Sequence, residues 1–321
     1  MENELPATNA EFQLAVRASA ERPTEGLTAA LRQMERNRPA RPPAPERALL
    51  AEVRDDVIEA DGRRIPIRIY TPKPADRLGE QPPVLLYFHG GGHTTGVLDD
   101  WDGVCSLLAS QSGMLLVSVD YRRAPENKFP AAPEDGYAAL EWVADRAATI
   151  GADPSRIVVA GDSAGGNLAA VVSLMAKHRG GPRISYQVLM YPGTNGREES
   201  ASARRNGEGY LLTRKMMDFF TAQYLRSDAD RTNPYFAPLK APDHSGLPPA
   251  MIITAEYDPL LDEGEAYAHK LRDAGVPVEY RMVESTIHGF VTLYQMIDSG
   301  RQMLTQIAQT LRQHFRAELL E

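Results

Sequence analysis

Residues 157–170 read IVVAGDSAGGNLAA. A continuous apolar run stops at Gly161-Asp162-Ser163-Ala164-Gly165, and a helix-like apolar run follows. The glycines two residues to either side of Ser163 lack a Cβ, so a strand and a helix can approach each other closely there. The residue at the apex of such a turn is pushed outward into a strained backbone. Its hydroxyl then stands at a helix N-terminus, where free N–H groups favour developing negative charge. That is the chemistry of a G-x-S-x-G nucleophile elbow. A serine N-cap in a glycine-rich turn has the same five residues, so the reading needs support from the rest of the chain.

A serine hydroxyl attacks only when a base takes its proton and an acid orients that base. On an open α/β sheet such groups belong on loops at the carboxyl ends of strands. After the apolar run AMIITA (250–255) comes EYDPLLDEGEAYA, which puts Asp258 just past a strand end, before Pro259. Glu256, closer to the strand, and Asp262 are rival carboxylates, Asp262 reading better as the first-turn acid of the next helix. After VEYRMV (278–283) comes ESTIHGF, with His288 on the loop ahead of the last helical segment. His178, His269 and His314 sit in polar helical stretches, and His244 lies in a loop rich in Pro, Asp, Ser and Gly. The stretch YFHGGGHTTG (87–96) places three consecutive glycines after a strand. Their N–H groups suit an acyl-transfer site, which needs two or three donors where a carbonyl oxygen becomes negative. The N–H of Ala164 would supply another. His89 reads as a brace for this loop.

These residues need a scaffold. Strand-length apolar runs recur at 52–59, 65–71, 83–88, 114–119, 156–161, 186–191, 250–255 and 278–283. The first two alternate polar and apolar, as half-exposed antiparallel edge strands do, and the later ones are more continuously apolar, as in a sheet covered on both faces. Helical segments fall at about 102–111, 134–149, 164–178, 262–274 and 299–319. Such alternation predicts a mostly parallel sheet with helices on both faces. Two regions do not fit. Residues 1–45 hold the helix-like AEFQLAVRASA and LTAALRQMERN, then a proline-rich stretch; residues 195–235 read as a polar loop followed by the amphipathic LTRKMMDFFTAQYL. Neither can join the sheet, and both suit a lid over its end.

The 321 residues carry a net charge of −8, which argues against nucleic acid or an anionic membrane surface as partner. Cys105 is the one cysteine, so neither an intramolecular disulfide nor a cysteine-based zinc site can form. It falls on what reads as the buried face of a helix. No apolar stretch approaches the ~18 residues needed to span a bilayer. The N-terminus has neither a basic nor an apolar signal region. The cytoplasm is the simplest expected location. The C-terminal helix has an apolar stripe that could bury against the body or pair with a second copy. Burial within the chain is the commoner use, and a homo-oligomer stays open.

Five motifs in order, HGGG (89–92), DYRRAPE (120–126), GDSAGGNLA (161–169), DPLLDEGEAYA (258–268) and HGF (288–290), resemble the bacterial hormone-sensitive lipase family of α/β-hydrolase carboxylesterases. The resemblance runs from about residue 50 to the C-terminus. It implies an α/β-hydrolase fold: a mostly parallel eight-stranded sheet flanked by helices, with a helical cap. The cap would comprise 1–45 and 195–235, and the catalytic domain 46–194 and 236–321. It implies Ser163 as nucleophile, His288 as general base and acid, and Asp258, over its rivals, as orienting acid. Gly91, Gly92 and Ala164 would form the oxyanion hole. The implied reaction is hydrolysis of short- to medium-chain acyl esters through an acyl-enzyme, with a small-molecule ester as partner and no metal or organic cofactor. Asp120, Arg122 and Glu126 would form a buried ion and hydrogen-bond network. The sequence departs from the family at His93, where a bulky apolar residue is common. A histidine bordering the pocket would disfavour a long-chain lipid; one facing away would only bond the loop. Met216, Met217, Phe219, Phe220 and Tyr224 would give the cap an apolar wall. His93, Met216 and Phe220 are the candidate substrate contacts. A non-catalytic receptor on the same fold would be expected to lack a triad member, and all three residues are present.

Overall fold

The computed structural model describes residues 42–196 and 199–318, together with Arg32, Gln33 and Asn37. Runs rich in Val, Ile and Leu form the strands β1 (Leu50–Ala60), β2 (Arg63–Pro72), β3 (Pro83–Phe88), β4 (Leu115–Val119), β5 (Asp153–Asp162), β6 (Tyr186–Met190), β7 (Ala250–Tyr257) and β8 (Val278–Ile287). They make one eight-stranded sheet in the order β1-β2-β4-β3-β5-β6-β7-β8. β1 and β2 form an antiparallel hairpin, β2 runs antiparallel to β4, and all later pairs are parallel. The hairpin turns at Asp61-Gly62, both with positive φ (48° and 74°), which suits the two-residue turn whose twist matches the strands. Only β1 is an edge. β2 pairs on both sides, so the expectation of two half-exposed edge strands holds for one, and Ile65, Ile67, Ile69 and Tyr70 of β2 are buried.

The helices are α1 (Asp102–Ser112), α2 (Ala131–Arg146), α3 (Ala164–Arg179), α4 (Ala201–Asn206), α5 (Arg214–Tyr224), α6 (Leu261–Asp273) and α7 (Asp298–Glu318). Two apolar clusters sandwich the sheet. One includes Leu140 of α2, Val172 of α3 and Leu271 of α6; the other joins Leu108 of α1 to Leu304, Ile307 and Leu311 of α7. The apolar stripe of α7 is therefore buried within its own chain. Cys105 is fully buried on α1, and burial pushes its thiol pKa far up. α2 starts three residues earlier than its apolar pattern predicts. Pro133 falls in its first turn, where a missing N–H costs no helical bond.

The chain between β6 and β7 holds α4 and α5 and adds no strand to the sheet. The N-terminal part of the expected cap, 1–45, lies outside the described residues apart from Arg32, Gln33, Asn37 and residues 42–45.

Candidate active site

Ser163 is the single residue between β5 and α3, with φ 55° and ψ −118°, a left-handed strain held by its surroundings. Its N–H donates to the Met190 carbonyl at 2.8 Å, and its carbonyl accepts from Asn167 N–H at 3.0 Å. The flanking glycines are there for space. A Cβ on Gly165 would run into the Phe88 carbonyl, and one on Gly161 into the Gly165 backbone. β3, β5 and α3 thus converge on the turn that projects the hydroxyl.

His288 follows β8, and its Nε2 lies 2.8 Å from Ser163 Oγ. Its Nδ1 lies 2.7 Å from Oδ2 of Asp258, which follows β7 and is fully buried. An ionised carboxylate can only accept, so Nδ1–H donates to Asp258 and Nε2 accepts the serine proton. Leu260 N–H donates to the other Asp258 oxygen at 2.8 Å. The rival acids are engaged elsewhere. Glu256 accepts from Ser285 N–H at 2.8 Å, bracing the irregular end of β8 ahead of His288 where Ser285 has φ 56°, and Asp262 accepts from Ser202 N–H at 2.7 Å.

The glycine loop runs alongside. Gly91 and Gly92 have φ 107° and 61°, and the Gly91 carbonyl accepts from the N–H groups of Thr94 (3.0 Å) and Thr95 (2.9 Å). His89 is a brace: its ring stacks on Tyr121 with centroids 4.4 Å apart, and its Nδ1–H donates to the Gly90 carbonyl at 2.8 Å. Burial pushes its pKa down to about 4, which keeps it neutral. Tyr121 OH donates to the His89 carbonyl at 2.7 Å. Asp162, in the sequence one residue of the motif GDSAGGNLA, links the glycine loop to the serine turn. Its Oδ1 accepts from Gly90 N–H at 3.1 Å and from Tyr87 OH at 2.8 Å, tying the loop to the elbow, and burial pushes its pKa up to about 6.

A cavity of about 170 Å³ opens over Ser163 and His288. Gly91, Gly92, Thr95 and Trp101 line one side, and Leu211, Leu212, Met216, Met217 and Phe220 of the insertion line another. The Phe220 ring sits against Gly92, where any Cβ would overlap it. Ala164 is wholly buried at the start of α3. Met216 and Phe220 are at the cavity as expected from sequence; His93 is not. Its ring, on a residue with φ 57°, is buried and stacks flat on Tyr224 (4.1 Å, 6°), outside the lining of the cleft. The expected buried network of Asp120, Arg122 and Glu126 is also different. Arg122 pairs with the fully buried Asp135 at 2.8 Å, whereas the Glu126 carboxylate is half exposed and pairs with Arg32 at 2.9 Å. The Arg32 guanidinium donates as well to the carbonyls of Thr94 and Ala124.

A hydroxyl, an imidazole and a buried carboxylate in series, beneath an apolar cleft and beside a glycine loop, can carry out acyl transfer. Comparison with known proteins agrees. Residues 85–292 match a family described by the alpha/beta hydrolase fold. The chain is 42% identical over 269 residues to the carboxylic ester hydrolase LipN of Mycobacterium tuberculosis, covering 82% of this chain and 70% of that protein. It is 38% identical over 257 residues to an ethyl acetate hydrolase of Pseudomonas putida, covering 79% and 80%. The solved esterase of Pyrobaculum calidifontis superposes with a TM-score of 0.81 at 41% identity, over 91% of this chain and 94% of that one. The chain belongs to the hormone-sensitive lipase family of α/β-hydrolase carboxylesterases.

Proposed function

We propose that this enzyme hydrolyses short- to medium-chain acyl esters through a Ser163–His288–Asp258 triad and an acyl-enzyme intermediate. The observation that carries the reading is the pair of hydrogen bonds at 2.8 and 2.7 Å that link Ser163 Oγ, His288 and buried Asp258. Ser163 Oγ attacks the ester carbonyl while His288 Nε2 takes its proton. The N–H groups of Gly91, Gly92 and Ala164 receive the oxyanion, each worth on the order of 100-fold in turnover. His288 then protonates the leaving alcohol, whose C–O bond breaks, and the acyl group stays on Ser163. Water, deprotonated by His288, releases the acid and restores the serine.

Cavity size supports the short acyl preference. A cavity of about 150 Å³ accommodates benzene, so 170 Å³ gives room for a small ester. The similarity to an ethyl acetate hydrolase points the same way. Residues 195–235 serve as cap, with Met216, Met217 and Phe220 as its apolar face over the serine.

The test is hydrolysis of p-nitrophenyl esters from acetate to palmitate by the wild type and Ser163→Ala. Activity should peak at short chains and vanish in the variant. A variant as active as the wild type, or an optimum at palmitate, would overturn the proposal.

A further inference from the structure

α4 is six residues long and polar, and its buried residues are Ser202 and Asn206, four apart and so on one face. A helix held to a body by packing buries apolar side chains; this one buries two hydrogen-bonding ones. Asn206 is 1% exposed, and its Nδ2 donates to the carbonyls of Glu256 and Asp258, both at 3.1 Å. A side-chain amide has two N–H donors, and both go to the chain that carries the triad acid. Ser202 grips the far side of the same turn. Its Oγ donates to the Pro259 carbonyl at 2.9 Å and accepts from Asp262 N–H at 3.1 Å, and its own N–H donates to the Asp262 carboxylate at 2.7 Å. The turn 256–262 is thus clamped at both ends by one helical face.

We infer that Asn206, seconded by Ser202, is a positioning residue for the triad: it fixes the β7–α6 turn so that the Asp258 carboxylate keeps its bond to His288. The inference rests on the proposed role of Asp258. Removing the amide leaves the partly buried Glu256 carbonyl and the buried Asp258 carbonyl without this donor and frees the turn to relax. The Asp258–His288 bond then loses its register, while the cleft walls that bind substrate stay in place. The insertion therefore supplies the cleft with its roof through α5 and the triad with its alignment through α4.

A double-mutant cycle on p-nitrophenyl acetate hydrolysis tests this, with Asn206→Ala, Asp258→Ala and the double variant. In the wild-type background Asn206→Ala should lower kcat on the order of ten- to a hundredfold, with KM changed less than about twofold. In the Asp258→Ala background the same substitution should cost less than about twofold, because its target is gone. An equal loss in both backgrounds, or no loss in the first, overturns the inference. Ser163→Ala, run alongside, separates the two levels. If it keeps activity, the triad reading itself fails and the inference falls with it; if it is inactive and the cycle is additive, the inference alone fails. Should Asn206→Ala not fold, the same cycle with Ser202→Ala decides by the same criterion.

Discussion

Asp162 holds a carboxyl beside the nucleophile with 3% of its surface exposed. Burial is the main cause that raises its pKa, from 3.8 to about 6, against the opposing effect of its bonds from Tyr87 and Gly90 and the nearby His288. Below pH 3.8 the group is neutral in both the folded and the unfolded chain, and burial of a charge costs nothing. Between 3.8 and about 6 the fold keeps a proton that the unfolded chain has released. Above about 6 it is ionised in both states, and the fold bears the full cost. Stability linked to Asp162 is therefore present at low pH and lost as pH rises through 6. At 1.36 kcal/mol per pH unit, the loss amounts to about 3 kcal/mol. Asp162→Asn has no charge to bury. Its own cost or gain is a constant, so its stability relative to the wild type should rise by about 2 kcal/mol between pH 4 and pH 7, the remainder of the loss having already occurred by pH 4. Urea unfolding of both proteins at half-unit pH steps measures the difference, in which all other titrations cancel. A difference flat with pH would refute the reasoning. The same variant should be slower, on the order of tenfold in kcat, since it removes a fixed negative charge that favours the imidazolium of His288 in the transition state. A stability gain above pH 6 coupled to a rate loss would show why a buried acid sits there.

Phe220→Ala should open the cleft over Gly92 and shift the chain-length optimum upward. With about 0.8 kcal/mol per buried methylene, two more accommodated methylenes raise the octanoate-to-butyrate ratio of kcat/KM roughly tenfold, and an unchanged ratio would count against Phe220 as the limit. His93→Asn removes the ring stacked on Tyr224 and should cost about 1 kcal/mol in a denaturant melt. It should leave that same acyl ratio within twofold, and a larger change would place His93 at the substrate.

What could be read from the sequence was local in origin. Gly161 and Gly165 announce the elbow because the backbone of a close strand–helix approach tolerates nothing else. The runs 83–88 and 186–191 announce buried strands because every residue is apolar or fits a covered sheet. The positions of Asp258 and His288 were legible because each follows a strand-length run, β7 largely buried and β8 a half-exposed edge. Where the warrant lies at a distance in the chain, the reading failed or was silent. His93 was judged by its neighbours in the glycine loop, but its place is decided by Tyr224, on a helix of the insertion. The family resemblance implied one network for Asp120, Arg122 and Glu126, yet Arg122 turns to Asp135 on α2 and Glu126 outward to Arg32. Nothing in the sequence beside Asp162 shows its partners, because Tyr87 and the Gly90 N–H lie 75 and 72 residues away in the chain.

The same distinction explains why α4 left no trace in the sequence pattern while carrying an alignment role. Hydrophobic periodicity detects helices that bury an apolar face, and α4 buries none. What holds it are Ser202 and Asn206, and their partners lie between Glu256 and Asp262. A polar pin of this sort stabilises modestly, because each bond replaces one to water, yet breaking it is costly once the partner carbonyl is buried. That asymmetry suits a part whose task is alignment. Apolar packing would hold the insertion on the body with little angular preference. Directional bonds to both ends of one turn fix where the Asp258 carboxylate points. The roof of the cleft, by contrast, is held through the apolar packing of Met217 and Tyr224 of α5, so the two halves of the insertion divide the work: α5 shapes the cleft and α4 fixes the turn that carries Asp258.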